Sequence, residues 1–276
     1  MAENHPSAAM LGTERVGAGV AVGPDRILTV HYLVLGATRV AVFGLDGRER
    51  KVSRVALDHD SGLALLSLER ADLESAAIAS GRAVVGTPVF LLTATSRSER
   101  KGATGHITSV GPFEAFWEYA IDRAIMTTAV NPGLAGAPLF DAVGRVIGVV
   151  SLGLTSVGRY SLAIPVDLYL ERAADLEARG EGRVTPPRSW IGIYPLAQES
   201  DVILTGVVAG GPAEAAGLAR GDAIVTVDGL PVSTLRQLYE ALWRRQPGEP
   251  ITLQVLRDED IRAVEVRASD RYTFYR

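Results

Sequence analysis

The chain has 276 residues, 47% of them apolar, with a net charge of −4 and no cysteine. That length suits one large domain or two ordinary ones. Acids and bases are mixed with no basic stripe, which argues against nucleic acid as a partner. The lack of cysteine excludes disulfides, thiolate nucleophiles and cysteine metal ligands.

Residues 1–16 form an N-terminal extension with no basic region ahead of a long apolar run, unlike a signal peptide. No apolar stretch long enough to span a membrane as a helix follows. A cytoplasmic location is expected, with a trimmed periplasmic chain as the alternative. From residue 17, short apolar runs broken by Gly, Pro and Asp predict strands at Gly19–Val22, Arg39–Val42, Leu63–Leu66, Pro88–Leu92 and Arg145–Val150. Asp46-Gly47 reads as a hairpin turn. Many short strands predict a mostly β domain over residues 17–180, a sandwich or barrels. Residues 112–119, PFEAFWEY, are aromatic and suit either a core or a contact surface. Residues 131–140, NPGLAGAPLF, have the Gly and Pro of a catalytic loop but no hydroxyl, thiol, carboxylate or imidazole.

Pro165 is expected to open a helix with apolar positions at Val166, Leu168, Tyr169, Leu170, Ala173 and Leu176, ended by Gly180. Residues 181–189 are polar, hold two prolines and read as a linker. A smaller domain then occupies residues 190–270. It has strands at Val202–Val208 and Ala223–Val227, a short helix from Pro212 stopped by Gly217, and a turn at Asp228-Gly229. Thr234 and Gln237 have the capping-box spacing. The helix they start places Leu235, Leu238 and Leu242 on one face. Two strands of alternating polarity follow, and residues 271–276 are expected to be a frayed tail.

Taken together, Gly17-Ala-Gly-Val20, Ile27-Leu-Thr29, Leu63-Ala-Leu-Leu66, Asn131-Pro-Gly133, Pro138-Leu139 and Ser161–Pro165 resemble the HtrA/Deg family. Trp190–Ile193, Pro212-Ala213, Ala216–Leu218 and Gly221-Asp222 extend the resemblance through the second domain. It implies a trypsin-like double β-barrel followed by a PDZ domain. It also implies a Ser-His-Asp mechanism, in which a serine attacks a peptide carbonyl, a histidine takes its proton and an aspartate orients the histidine.

The family's serine is expected in a Gly-Asn-Ser-Gly-Gly-Pro-Leu pattern, and here that position is Ala135. The histidine position, counted from Thr29 or back from Gly36, is Tyr32, with His31 one residue early. The aspartate position, just before Leu63, is Gly62. Asp60, two residues earlier on an extended segment, would stand about 6–7 Å away. With Tyr32, Gly62 and Ala135 at the three positions, the chain is expected to be no enzyme. Tyr32 is expected to fill the missing histidine's volume and hydrogen-bond locally.

His31, His59 and Asp60 are weak candidates for a divalent metal, matching no ligand motif, and no cofactor is expected. The resemblance implies that Ile191-Gly192-Ile193 offers backbone N–H groups to a peptide's terminal carboxylate, with the peptide extending the adjacent strand. Leu235, Leu238 and Leu242 would form the other wall of that groove. Pro195 removes one N–H from the strand the peptide would join. The resulting expectation is a non-catalytic HtrA-like scaffold, adaptor or accessory subunit. Its partners would be proteins, in a larger complex or as peptide C-termini. A metal or ligand sensor, or a degenerate hydrolase, is the alternative.

Overall fold

The structure, a computed structural model, describes residues 5–70, 73–97, 99–154, 158–179 and 187–275. Contacts divide these residues into two compact units, 10–113 with 121–179, and 5–9 with 114–120 and 187–275. The second unit is therefore more than the C-terminal part of the chain. Residues 5–9 and 114–120 belong to it as well.

After a short helix, α1 (Ala8–Leu11), the first unit opens with β1 (Val20–Gly23), β2 (Arg26–Val30), β3 (Ala41–Phe43), β4 (Glu49–Asp58) and β5 (Leu63–Leu68). These form a five-stranded sheet in the order β1-β2-β5-β4-β3, antiparallel throughout. β5 is central and buried on both faces, which explains its unbroken Leu-Ala-Leu-Leu run in place of alternation. Asp46-Gly47 does sit between β3 and β4, with Gly47 at φ +70°.

Six further strands close into a barrel. They are β6 (Pro88–Ala94), β7 (Arg100–Ala115), β8 (Tyr119–Thr127), β9 (Pro138–Asp141), β10 (Val146–Leu154) and β11 (Tyr160–Pro165). Closure leaves no free edge. Leu91, Ile107, Ile125 and Leu139 pack its interior. The mostly β character matches expectation. Among the described residues, however, only this sheet is closed, and the first five strands form an open one.

The helix expected after Pro165 is two helices, α2 (Val166–Leu170) and α3 (Ala173–Arg179), and Pro165 is the cap of the first. The chain breaks at Glu171–Arg172, where the Arg172 guanidinium turns to Asp58 at 2.8 Å. Gly180 and residues 181–186 of the expected linker lie outside the described residues. Ser189 is buried in the second unit and its hydroxyl donates to the Leu242 carbonyl at 2.7 Å.

The second unit continues with β12 (Ile193–Gln198), β13 (Asp201–Val207), α4 (Pro212–Ala215), β14 (Ala223–Val227), β15 (Leu230–Pro231), α5 (Leu235–Leu242), β16 (Pro250–Arg257) and β17 (Asp260–Arg267). The sheet order is β12-β13-β14-β16-β17, with β15 beside β14. β12 is an edge strand, where Pro195 is tolerated because its missing N–H breaks no ladder within the sheet. Ile191, Leu204, Ile224, Leu238, Leu242 and Leu253 meet in the core. Each such side chain contributes about 1.5–3 kcal/mol by leaving water.

The Thr234 hydroxyl accepts the Gln237 N–H at 3.1 Å. The Gln237 side chain reaches back to the Ser233 N–H at 2.8 Å, one residue before the expected partner. Thr234→Ala is expected to cost about 1 kcal/mol, read as a lower urea midpoint for the second unit.

The tail is not frayed. α6 (Arg271–Phe274) is capped by Asp270, which accepts the Tyr272 N–H at 3.0 Å. The Phe274 and Tyr275 rings lie 4.6 and 5.5 Å from Trp190. Aromatic burial against Trp190 outweighs the entropy a short terminal segment gains by fraying.

Candidate functional site

In the first unit, the loop at 131–139 is shaped by its glycines. Gly136 has φ +87°, and a Cβ there would lie 2.1 Å from the Ala18 carbonyl oxygen. A Cβ on Gly133 would lie 2.6 Å from the Ala94 carbonyl oxygen. The Ala135 carbonyl accepts the Ala18 N–H at 2.7 Å, and the Gly136 N–H donates to Val150 at 2.8 Å. In a trypsin-like site, a developing oxyanion meets the amides of the nucleophile residue and of the residue two before it. At the second of these positions, the Gly133 N–H is turned to the Asn131 side chain at 3.2 Å.

Tyr32 lies in a single 3₁₀ turn, His31–Leu33. Its phenol donates to the Ser151 carbonyl at 2.6 Å, beside the Val150 that anchors the loop. Burial pushes that phenol's pKa up, opposed by the hydrogen bond to Ser151. Thr127 and Thr128, just upstream of the loop, are both engaged with the backbone of His106.

His31 is buried, and its Nδ1 lies 3.1 Å from the Gly62 carbonyl. A carbonyl can only accept, so Nδ1 donates to it. Position 62 is thus tied to His31 and not to Tyr32. Residues 59–62 form a turn instead of the extended segment assumed for Asp60, and Gly62 has φ +80°.

That turn is organised by Asp58, which sequence reading passed over. Its carboxylate accepts the N–H groups of Asp60 and Ser61 at 3.0 and 3.1 Å and pairs with Arg172 at 2.8 and 3.0 Å. Burial raises its pKa to about 6, against the pull of Arg172 and Ser61. The His31 and His59 rings meet edge-on with centroids 5.4 Å apart. Among the described residues no group of three or more His, Cys, Asp or Glu is placed to hold a metal, so the trio His31, His59 and Asp60 does not assemble into a site.

The second unit holds a different arrangement. Gly192 at φ +81° turns the chain so that three successive amides converge at the head of β12. The N–H groups of Ile191, Gly192 and Ile193 lie 3.2, 2.6 and 2.8 Å from the Glu118 carboxylate. Glu118 belongs to the same unit and is 3% exposed. Burial pushes its pKa up, opposed by Arg271 and by the three amides. Ile191, Ile193, Leu238 and Leu242 are buried and Leu235 packs on them, so the residues expected to form a peptide groove share one apolar cluster. No sequence signal pointed to Glu118, which lies 73 residues before Ile191.

Residues 17–149 match the trypsin-like peptidase domain family, and residues 189–267 match the PDZ domain family. A Halomonas elongata protein named as a probable periplasmic serine endoprotease, DegP-like, is 30% identical over 92% of this chain and 56% of its own length. A Chlamydia muridarum protein of the same name is 30% identical over 88% of this chain and 51% of its own. Among solved structures, the HtrA-type protease AlgW with a decapeptide superposes with a TM-score of 0.58 at 25% identity, over 92% of this chain and 82% of that one.

The chain belongs to the HtrA family. It spans about half the length of the curated relatives it matches. The names of these HtrA relatives correct three expectations. A non-catalytic scaffold, adaptor or accessory subunit, and with it the assignment as no enzyme, are overturned because the relatives are named as probable serine endoproteases. The cytoplasmic location is overturned because they are named as probable periplasmic proteins. The expectation of no enzyme rested on three side chains, whereas the similarity runs across both units.

Proposed function

We propose that this chain takes part in periplasmic proteolysis as a polypeptide-binding member of the HtrA serine endoprotease family. The observation that carries this is the 30% identity over 92% of the chain, through both units, to a protein named as a periplasmic serine endoprotease. The substrate class is polypeptide presented in extended form. In the second unit, β12 is an edge strand that a peptide can extend, and the amides at its head already hold a carboxylate. A similar chain, the HtrA-type protease AlgW, was solved with a decapeptide, which supports a peptide as the ligand class.

The residues of the recognition site are Ile191, Gly192 and Ile193, with Leu235, Leu238 and Leu242 as the apolar wall. Pro195 removes one donor from the edge, so the backbone ladder stops short and the terminal carboxylate contributes a larger share of the binding. In the first unit Gly136 shapes the 131–139 loop at φ +87°, and the His31 ring is held on the Gly62 carbonyl.

The full chain should retain unfolded casein or carboxylate-terminated peptides on an immobilised support, with cleavage products followed by mass spectrometry. A chain that neither retains nor cleaves either kind of polypeptide would overturn the proposal.

A further inference from the structure

The strands β7 and β8 are joined by a tip, residues 114–120, that belongs to the second unit. Glu118 at this tip has φ +52°, a left-handed backbone that a non-glycine residue adopts at a cost. Its carboxylate receives the three amides of Ile191, Gly192 and Ile193. The rest of the tip is held on several sides. Arg271 donates to the carbonyls of Trp117 and Glu118 at 2.8 and 2.9 Å. The Tyr239 hydroxyl, from α5, donates to the Ala115 carbonyl. Arg236, also on α5, pairs with Glu114 at 2.6 Å. Ala120 is buried in the same apolar cluster as Ile191, Leu238 and Leu242.

The tip therefore meets both walls of the groove. α5 holds it through Arg236 and Tyr239, and the head of β12 holds it through the amides. A side chain placed there only to satisfy three amides needs neither a strained backbone nor contacts with the opposite wall. The carboxylate, the buried methyl of Ala120 and the backbone carbonyls held by Arg271 and Tyr239 are the parts an extended peptide end would present. Resting on the polypeptide-recognition reading above, we propose that Glu118 is a resident ligand of this cradle. Its side-chain carboxylate occupies the place of a peptide's C-terminal carboxylate, and an incoming peptide binds only by displacing it. The external ligand class is a peptide with a free C-terminal carboxylate and a small or apolar last residue. Its apparent affinity is reduced by the fraction of molecules in which the tip is seated.

The test compares the full-length chain with Glu118→Gly and Glu118→Gln. Glycine removes the carboxylate and relieves the positive φ, so folding is not penalised at that residue. Glutamine keeps the shape and loses the charge. The probe is a dye-labelled pool of decapeptides ending in Ala or Val with a free carboxylate, alongside the same pool amidated, read by fluorescence anisotropy. Hydrogen exchange at Ile191, Gly192 and Ile193 is followed without peptide.

Glu118→Gly is expected to bind the free-carboxylate pool about ten- to a hundred-fold more tightly than the parent chain, the range of lost charge-assisted hydrogen bonds. Glu118→Gln should fall between. The amidated pool should show no gain, and exchange at the three amides should accelerate in Glu118→Gly. Equal affinity for the parent chain and Glu118→Gly would overturn the competition, as would an equal gain for the amidated pool. Faster exchange with no peptide bound by any variant would make Glu118 a cap and remove terminal-carboxylate recognition. Retention of unfolded casein would then still stand as the separate measure of the broader polypeptide-binding reading.

Discussion

Replacing Asp58 with alanine is expected to destabilise the first unit by about 3–5 kcal/mol, the range for removing one partner of a buried ion pair. The carboxylate has no exposed side-chain surface, whereas Arg172 retains 19%. Asp58 also accepts two backbone N–H groups and the Ser61 hydroxyl, so its loss leaves the 58–62 turn without its centre. The same turn presents the Gly62 carbonyl to His31, and His31 should lose that acceptor. Hydrogen exchange of the β5 amides is the suitable measure, because all three tryptophans, Trp117, Trp190 and Trp243, report on the second unit. Unchanged β5 protection would show that the pair contributes nothing net.

The pH dependence follows with a definite sign. The folded-state pKa of Asp58 is raised from 3.8 to about 6, so between these values the folded chain binds more of this proton than the unfolded chain does. The contribution from this group is fully present below about pH 4 and is lost as pH rises through 6. The parent chain should therefore lose β5 protection across that window, and Asp58→Asn should show a flatter profile. A parent profile that rises from pH 4 to 6 with the slope of this group would sink the assignment.

Placing a hydroxyl at position 135 alone is expected to change the hydrolysis of unfolded casein little, by less than about ten-fold, because nucleophile and base act as a unit. Tyr32 cannot take a serine's proton. Its phenol already donates to the Ser151 carbonyl, and burial raises its pKa further. Ala135→Ser combined with Tyr32→His should exceed Ala135→Ser by about a hundred-fold, the order of what a hydroxyl gains from a base held beside it. Fluorescent casein hydrolysis by parent, single and double variants measures this. A double variant no faster than the single one would show that position 32 does not address position 135.

Much of the architecture was legible because its causes are local. The Leu63–Leu66 run marked a strand buried on both faces. Asp46-Gly47 marked a turn. Thr234 and Gln237 marked a helix start within four residues of chain. Gly133 and Gly136 were recognisable as turn-forming, and the structure supplies the reason in the carbonyls of Ala94 and Ala18 that leave no room for a Cβ. That Ile191, Ile193 and the α5 leucines would come together was also legible, since the first pair is nearly contiguous and the leucines follow helical spacing.

What sequence spacing could not reveal was which distant groups meet. Counting along an extended backbone placed Asp60 about 6–7 Å from the aspartate position, but the turn at 59–62 put the Gly62 carbonyl on His31 and gave Asp58 the organising role. The break between α2 and α3 had no local marker, because it coincides with the turn of Arg172 toward a carboxylate 114 residues earlier. Glu118 read as one acid in an aromatic stretch. Its partners lie 73 to 75 residues further on, and only the tertiary fold, by closing a hairpin tip onto three converging amides, made it the ligand of its own chain.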